Sequence, residues 1–407
     1  MRSIKKSRKL DNICYDVRGP VLEAAMEMER QGMRILKLNI GNPAPFGFRA
    51  PDCVVDAVRG HLDQAQGYSD SKGIMEAREA IAAYCRDVKN IAGVTANDVY
   101  TGNGASELIS LSMQALLDRD DEILIPTPDY PLWTATATLA GGTVVHYRCD
   151  EKAGWLPDIA DIRKKITPYT RAIVVINPNN PTGALYTVEV LEEIVALARE
   201  HGLIIFADEI YDRLVMDGLK HTSIASLAPD VPTVTFNGLS KSHLAAGYRA
   251  GWMCISGDKV AAANYIEGLN MLSSMRLCSN VQAQYSIAPA LADPFAAHAM
   301  LEPGGRVYEQ RECMMKSLAA IDGISVVRPS AAFYSFPHLD AKRFGIVDDE
   351  RFALDFLREK HVLLVHGGGF HWPEPDHFRI VYLPTVDVLS EAIGKLGEFL
   401  DGYHQKP

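Results

Sequence analysis

Lys241 lies in the run Val234-Thr-Phe-Asn-Gly-Leu-Ser-Lys-Ser-His-Leu-Ala-Ala-Gly-Tyr-Arg249, just past an apolar, β-like stretch and eight residues before a fixed cation. An amine presented at a strand end among apolar and glycine residues suits Schiff-base chemistry. Desolvation and a neighbouring cation both favour its neutral, nucleophilic form. A lone lysine is more commonly a solvated charge, so the other segments must decide.

Open α/β sheets bind their ligands outside the carboxyl ends of the strands, and each apolar run here delivers a chemically useful group at that end. Residues 122–125 run into Pro126-Thr-Pro-Asp-Tyr130, residues 172–176 into Asn180-Pro-Thr-Gly183, residues 203–207 into Asp208-Glu-Ile-Tyr211, and residues 233–236 into Ser240-Lys241. Upstream, Thr101-Gly-Asn-Gly-Ala-Ser106 precedes a helix-like segment, and a glycine turn entering a helix cradles anions such as phosphate. Each signal has a plainer reading. Gly102 and Gly104 suit an ordinary tight turn, Asp208 a helix N-cap, Tyr130 packing, Asn180 a turn and Arg249 a surface ion pair. Taken together they supply a phosphate anchor, an aromatic face, a carboxylate for a ring nitrogen, partners for a phenolic oxygen and an amine for an aldehyde. Pyridoxal 5'-phosphate needs that set.

The elements that position these groups alternate in type. Residues 172–176 read as a buried strand, 188–201 carry apolar residues at Val190, Leu191, Ile194, Val195 and Ala198 on one helix face, Gly202 stops the helix, and 203–207 are again a strand. This is the crossover unit of a parallel sheet. Residues 251–255 are a further strand candidate. After Asp293 the texture changes, with a helix over 308–321 and short strands at 324–327 and 333–336. The expected class is α/β: a large domain over 50–295 with a mainly parallel sheet covered by helices, and a smaller α+β domain from 296–407 joined by an N-terminal arm over 1–49.

Bulk properties narrow the partners. The 407 residues are 47% hydrophobic and 23% charged, enough for a large core, and the net charge of −10 offers no basic face for nucleic acid or anionic membrane. No run approaches a membrane span, and the basic first nine residues lack the apolar segment of a secretory signal. Seven scattered cysteines without a CxxC pair argue against disulfides and zinc and for a reducing, cytoplasmic setting. Twelve histidines, His243, His366 and His371 among them, show no ligand spacing, so no metal is expected.

The ordered motifs Asn180-Pro-Thr-Gly183, Asp208-Glu-Ile-Tyr211 and Ser240-Lys241 with Arg249 resemble those of the fold-type I, class I/II aminotransferases over most of the chain. Within that family the similarity is to bacterial glutamate–pyruvate (alanine) aminotransferases. The resemblance implies that Lys241 binds the cofactor aldehyde and shuttles the substrate proton, that Asp208 holds the pyridine nitrogen protonated, and that Asn180 and Tyr211 hold the phenolic oxygen. It places Tyr130 on the ring face, and Arg249, Gly104, Ala105, Ser106 and Ser240 around the phosphate. Gly238 departs from the pattern, which has Ser or Thr three residues before the lysine. An arginine in the apolar run Phe378-Arg379-Ile-Val-Tyr-Leu-Pro384 must meet an anion, and the resemblance makes Arg379 the clamp for the substrate carboxylate, with Gly41 offering backbone to the same group. Tyr68 resembles the tyrosine that reaches the cofactor phosphate of a neighbouring subunit in this family, and with Arg276 expected to act across the two-fold axis the resemblance implies a homodimer with shared active sites. Tyr15 and Arg18 read either as part of a docking arm or as a lid; the resemblance suggests the lid, with Arg18 expected to meet the distal carboxylate of glutamate and Tyr15 to close the pocket near the α-carbon.

The implied reaction is ping-pong exchange between an amino acid and a 2-oxo acid, namely alanine and 2-oxoglutarate to pyruvate and glutamate. A pyridoxal-phosphate β-lyase shares the cofactor residues and is the alternative on the same fold. A cofactor-sensing transcription regulator would need a DNA-binding module, for which the fifty or so residues expected before the sheet leave little room.

Overall fold

The computed structural model describes residues 3–11, 13, 19–293 and 297–405. After a short strand β1 (Leu36–Lys37), eight strands form one sheet: β2 (Val99–Asn103), β3 (Glu122–Thr127), β4 (Thr143–Asp150), β5 (Leu156–Pro157), β6 (Thr170–Ile176), β7 (Ile204–Asp208), β8 (Thr233–Gly238) and β9 (Ala250–Ser256). Their order is β2-β9-β8-β7-β6-β3-β4-β5. The interior pairs are parallel, β9 runs antiparallel to both of its neighbours, and β5 is antiparallel to β4. From β3 the chain winds outward to β4, whereas β6, β7 and β8 wind the other way. The crevice of such a reversal opens between the carboxyl ends of β3 and β6.

Alternation along each strand decides which face it feeds. Ile123, Ile125, Ala172, Val174, Ile176 and Phe206 pack under the helices Ala105–Leu116, Leu132–Ala140 and Ala263–Met275. Leu124, Ile173, Val175, Ile205 and Ala207 face the helix Val188–His201 on the other side. With both faces covered the strands are continuous apolar runs. The helix Val188–His201 begins at Thr187, whose hydroxyl accepts from the Val190 amide, and ends at Gly202 in the left-handed region, as its sequence dictates.

The first strand of this sheet starts at Val99, so ninety-eight residues rather than about fifty precede it. The intervening helices Asp52–Gly60 and Met75–Ala83 pack their Val54, Ala77 and Ile81 against the β2 and β9 edge. A separate core gathers Val21, Leu36 and Leu38 with residues from 301 to 400, around β10 (Ile324–Ser325), β11 (Tyr334–Ser335), β12 (His338–Leu339), β13 (Val362–Leu363), β14 (Val365–His366) and β15 (Phe378–Val381). There β1 pairs with β13, and β11, β15 and β14 form a three-stranded sheet that carries Arg379.

Candidate active site

A cavity of about 240 Å³ opens at the carboxyl ends of the central strands. One end is built from glycines. Across β8, β9 and β2, Gly238 stands opposite Gly251 and Gly251 opposite Gly102. A Cβ on Gly251 would lie 2.4 Å from the Ala105 amide nitrogen, and one on Gly238 would lie 2.7 Å from the Ala250 carbonyl oxygen. The row of bare backbone thus lets the N-terminus of the helix Ala105–Leu116 settle on the sheet. It also gives the physical reason for the missing Ser or Thr at 238, since β9 passes too close for a side chain there. Gly104 has φ 77° and presses against Arg249, whose Nη2 lies 1.9 Å from where its Cβ would be. Arg249 Nη2 donates to Ser106 Oγ at 3.2 Å and Nη1 to Ser240 Oγ at 3.4 Å. Two hydroxyls, a guanidinium and free first-turn amides make an anion cradle.

The middle of the cavity holds Asp208, Tyr211, Asn180, Tyr130 and Lys241. Asp208, at the end of β7, is buried and accepts from Trp133 Nε1 at 3.1 Å and from the Ile210 amide at 3.3 Å. Burial outweighs these donors and the nearby Lys241 charge, raising its carboxyl above the usual range. A cation placed beside it would restore the charged form. Lys241 Nζ donates to the Gly41 carbonyl at 2.5 Å. Tyr211 and Tyr334 share a hydroxyl–hydroxyl hydrogen bond of 2.9 Å, their rings edge to face. Tyr334 and Trp133 were not legible as site residues in the sequence; Phe333-Tyr-Ser-Phe336 reads only as strand, and nothing in the sequence singles out Trp133.

At the far end, Arg379 is almost fully buried. It donates to Asn180 Oδ1 at 3.0 Å and to the Asn39 carbonyl, and lies against the rings of Tyr334 and Phe370, 4.7 and 4.6 Å from their centroids. Gly41 is beside it in the cavity wall. Tyr68 does not line the cavity of its own chain and is 81% exposed. Arg276 bonds within its own chain, to Glu107 at 2.6 Å and to the Ser71 and Thr101 carbonyls. Tyr15 and Arg18 lie outside the described residues.

Two networks brace this arrangement. Asp129, next to Tyr130, accepts from Thr134 at 2.6 Å and meets His371 Nδ1 at 2.7 Å, while His146 stacks on His371. Among the described residues these three bring possible ligand atoms together although no sequence spacing announces them. Below the Asp208–Tyr211 turn, the buried Lys89 pairs with Asp212 at 2.5 Å and Glu209 at 3.6 Å. Desolvation is the largest influence on both acids, yet the ammonium draws Asp212 down to about 2, whereas burial leaves Glu209 raised to about 7. His221 sits on the same ammonium through Nδ1 and on the Asn177 carbonyl through Nε2. Burial and the adjacent cation hold it neutral, down at about 3.

The donors therefore match a flat, cationic ring carrying a phosphate: an anion cradle at one end, a buried carboxylate needing a cation in the middle, and an amine beside it. Comparison with known proteins agrees. Residues 34–396 match the family Aminotransferase class I and II. This chain belongs to the class I and II aminotransferases. It is 56% identical over 406 residues, and over the whole of both chains, to the glutamate-pyruvate aminotransferase AlaA of Escherichia coli strain K12. It is 52% identical to the alanine aminotransferase of Mycobacterium tuberculosis strain H37Rv, covering 99% of this chain and 94% of that one. A crystal structure of an aminotransferase from Escherichia coli superposes over the full length of both chains with TM-score 0.98. The aminotransferase is a pyridoxal-phosphate-dependent transaminase whose substrates are an amino acid and a 2-oxo acid. No described helix is long and apolar enough to cross a membrane.

Proposed function

We propose that this aminotransferase exchanges the amino group of alanine with 2-oxoglutarate, giving pyruvate and glutamate. The end-to-end 56% identity to a glutamate-pyruvate aminotransferase carries this reading. Bound pyridoxal phosphate supplies an aldehyde for the amine and a ring that withdraws electrons from the α-carbon. The chain's residues do the rest. Arg249, Ser106, Ser240 and the amides at Ala105 and Ser106 hold the phosphate; Gly104, whose own amide donates to the Arg249 carbonyl, serves by leaving room for the guanidinium. Asp208, kept in place by Trp133, secures a proton on the ring nitrogen, Asn180 and Tyr211 hold the phenolic oxygen, and Tyr130 covers a ring face. Lys241 Nζ takes the proton from the substrate α-carbon and later delivers it to the carbon that carried the aldehyde, on the other side of the substrate nitrogen. Arg379 and the Gly41 backbone clamp the α-carboxylate. Tyr15 and Arg18 close over the substrate, with Arg18 reading the distal carboxylate of glutamate and yielding for alanine.

The same reading divides the chain into a large unit over 50–295 and a smaller one formed by 1–49 and 296–407, which meet at the cavity. It makes the protein a cytoplasmic homodimer. The six described cysteines are free thiols, in keeping with a reducing compartment, and Tyr68 exposes a ring that a partner's cradle could use. The test is a half-reaction screen in which the loaded enzyme meets single amino acids while the cofactor absorbance is followed. Alanine and glutamate should convert it fastest, and faster conversion by aspartate or an aromatic amino acid would refute the specificity.

A further inference from the structure

Transamination leaves Lys241 unattached for part of every turnover, and in that interval its amine must stay within reach of the substrate α-carbon. The geometry shows what receives it. Nζ donates to the Gly41 carbonyl at 2.5 Å, and the Tyr334 hydroxyl stands against Gly41 in the same cavity wall, where the Lys241 charge acts on it. Tyr334 sits on β11, 2% exposed, tied by its hydroxyl to Tyr211 and by its ring to Arg379. Gly41 is moulded to it, since a Cβ there would lie 2.0 Å from the Tyr334 hydroxyl oxygen. Any larger residue would push the hydroxyl away from the amine or withdraw the carbonyl.

We propose that Tyr334 is a positioning residue for the proton transfer, its hydroxyl oxygen and the Gly41 carbonyl forming the resting place of the free Lys241 amine. This rests on the reading of Lys241 as the proton carrier. In that step the amine lone pair would take the α-proton, the C–H electron pair would pass into the electron-withdrawing ring, and the ammonium would then give the same proton to the carbon that carried the cofactor's aldehyde, the electron pair returning to form that C–H bond. The two oxygens accept hydrogen bonds throughout and gain no proton. Four groups face the Tyr334 hydroxyl or ring: Lys241, Arg379, Tyr211 and Tyr382. Burial raises the phenol, but the Lys241 and Arg379 charges and the Tyr211 hydrogen bond bring it below its ordinary value, so the two cations act on the side of negative charge at its oxygen.

Tyr334→Phe removes the hydroxyl and keeps the ring. In the loaded enzyme kcat for alanine should fall by about tenfold or more with KM changed less than about threefold, and the isotope effect with α-deuterated alanine should grow. In the cofactor-free protein, reductive methylation of Lys241, mapped by mass spectrometry, should run at least about threefold faster because the amine is no longer held. Unchanged kcat and unchanged methylation would overturn the proposal, leaving Tyr334 a wall. So would parallel losses of kcat, cofactor affinity and melting temperature, which would mark a structural role. A tenfold rise in KM with kcat intact would reassign the hydroxyl to substrate binding. If the wild-type enzyme transaminated no amino acid, the reaction assigned above would fail, while the methylation comparison would still judge the resting place.

Discussion

Lys241 and Asp208 show how a folded site divides binding from chemistry. On the proposed reading, the phosphate cradle, the Asp208 carboxylate and the Tyr130 ring would each hold the cofactor without the lysine. Lys241→Ala should therefore keep it bound by spectroscopy and lose about 10²–10⁴-fold or more in turnover. Release of the cofactor on dialysis of this variant, while wild type keeps it, would contradict that division. Arg18 is argued from the substrates: one site must greet a distal carboxylate and then tolerate a methyl group. Arg18→Ala should weaken glutamate and 2-oxoglutarate by about 1.5–3 kcal/mol, the worth of a charge-assisted hydrogen bond, with a smaller effect on alanine. Steady-state kcat/KM for both substrates decides, and equal losses would reduce Arg18 to a fold or cofactor contact. At this scale the sequence was informative wherever a reactive residue followed a strand, which is why Tyr130, Asn180, Asp208 and Lys241 all line one cavity. Tyr334 stayed hidden because its neighbours Phe333 and Phe336 are as buried as it is, so nothing in the pattern sets one aromatic apart.

Among the elements, the glycines of β2, β8 and β9 do what no single motif announces. They bring three backbones and a helix N-terminus into contact, so that the Ala105 amide and Arg249 face one place where an anion would sit. Gly251→Ala should cost about 1–3 kcal/mol of stability in urea denaturation and weaken cofactor binding at the same time, since the added methyl strikes the backbone that forms the cradle. Tight cofactor binding in a destabilised variant would separate the row from the cradle. The interior strands β3, β6, β7 and β8 were legible because burial on both faces makes them unbroken apolar runs. β4, reading Thr143-Val-Val-His-Tyr-Arg-Cys-Asp150, was not, because it lies next to the sheet edge and mixes exposed and buried residues. The antiparallel direction of β9 was equally illegible, since strand direction is fixed by the connection, here residues 239–249 with the short helix Leu239–Ser242, and leaves no mark in the side-chain pattern.

For the molecule as a whole, the subunit pairing and the pH response can be checked. Tyr68 is exposed, and so are Met271, Met275 and Leu277 at the end of the helix Ala263–Met275, as the proposed dimer face would require. Mixing inactive Lys241→Ala with an inactive Tyr68→Ala enzyme should regenerate activity in hybrids, which hold one intact site each. No recovery despite exchange of subunits, seen by native mass spectrometry, would place Tyr68 within its own subunit. The Lys89 network sets two opposed slopes in acid. His221, ordinarily near 6.5, is held down at about 3, so its contribution is complete above 6.5 and is lost as the pH falls toward 3. Glu209, ordinarily near 4.5, is raised to about 7, so its burden is greatest above 7 and is relieved on the way down to 4.5. Between 4.5 and 6.5 the two oppose each other, each by at most about 1.4 kcal/mol per pH unit. His221→Asn removes one slope, so unfolding free energies across that window should rise on acidification relative to wild type. A variant that tracks wild type would place the titrating proton elsewhere. The hydrogen bond from Trp133 to Asp208 also joins an indole directly to the carboxylate that would meet the cofactor ring, inside a cluster with Phe206 and Phe236. The protein thereby carries its own optical gauge: emission from that buried indole should dim as the ring arrives and recover as it leaves, so that loading can be read in the native chain without an added label.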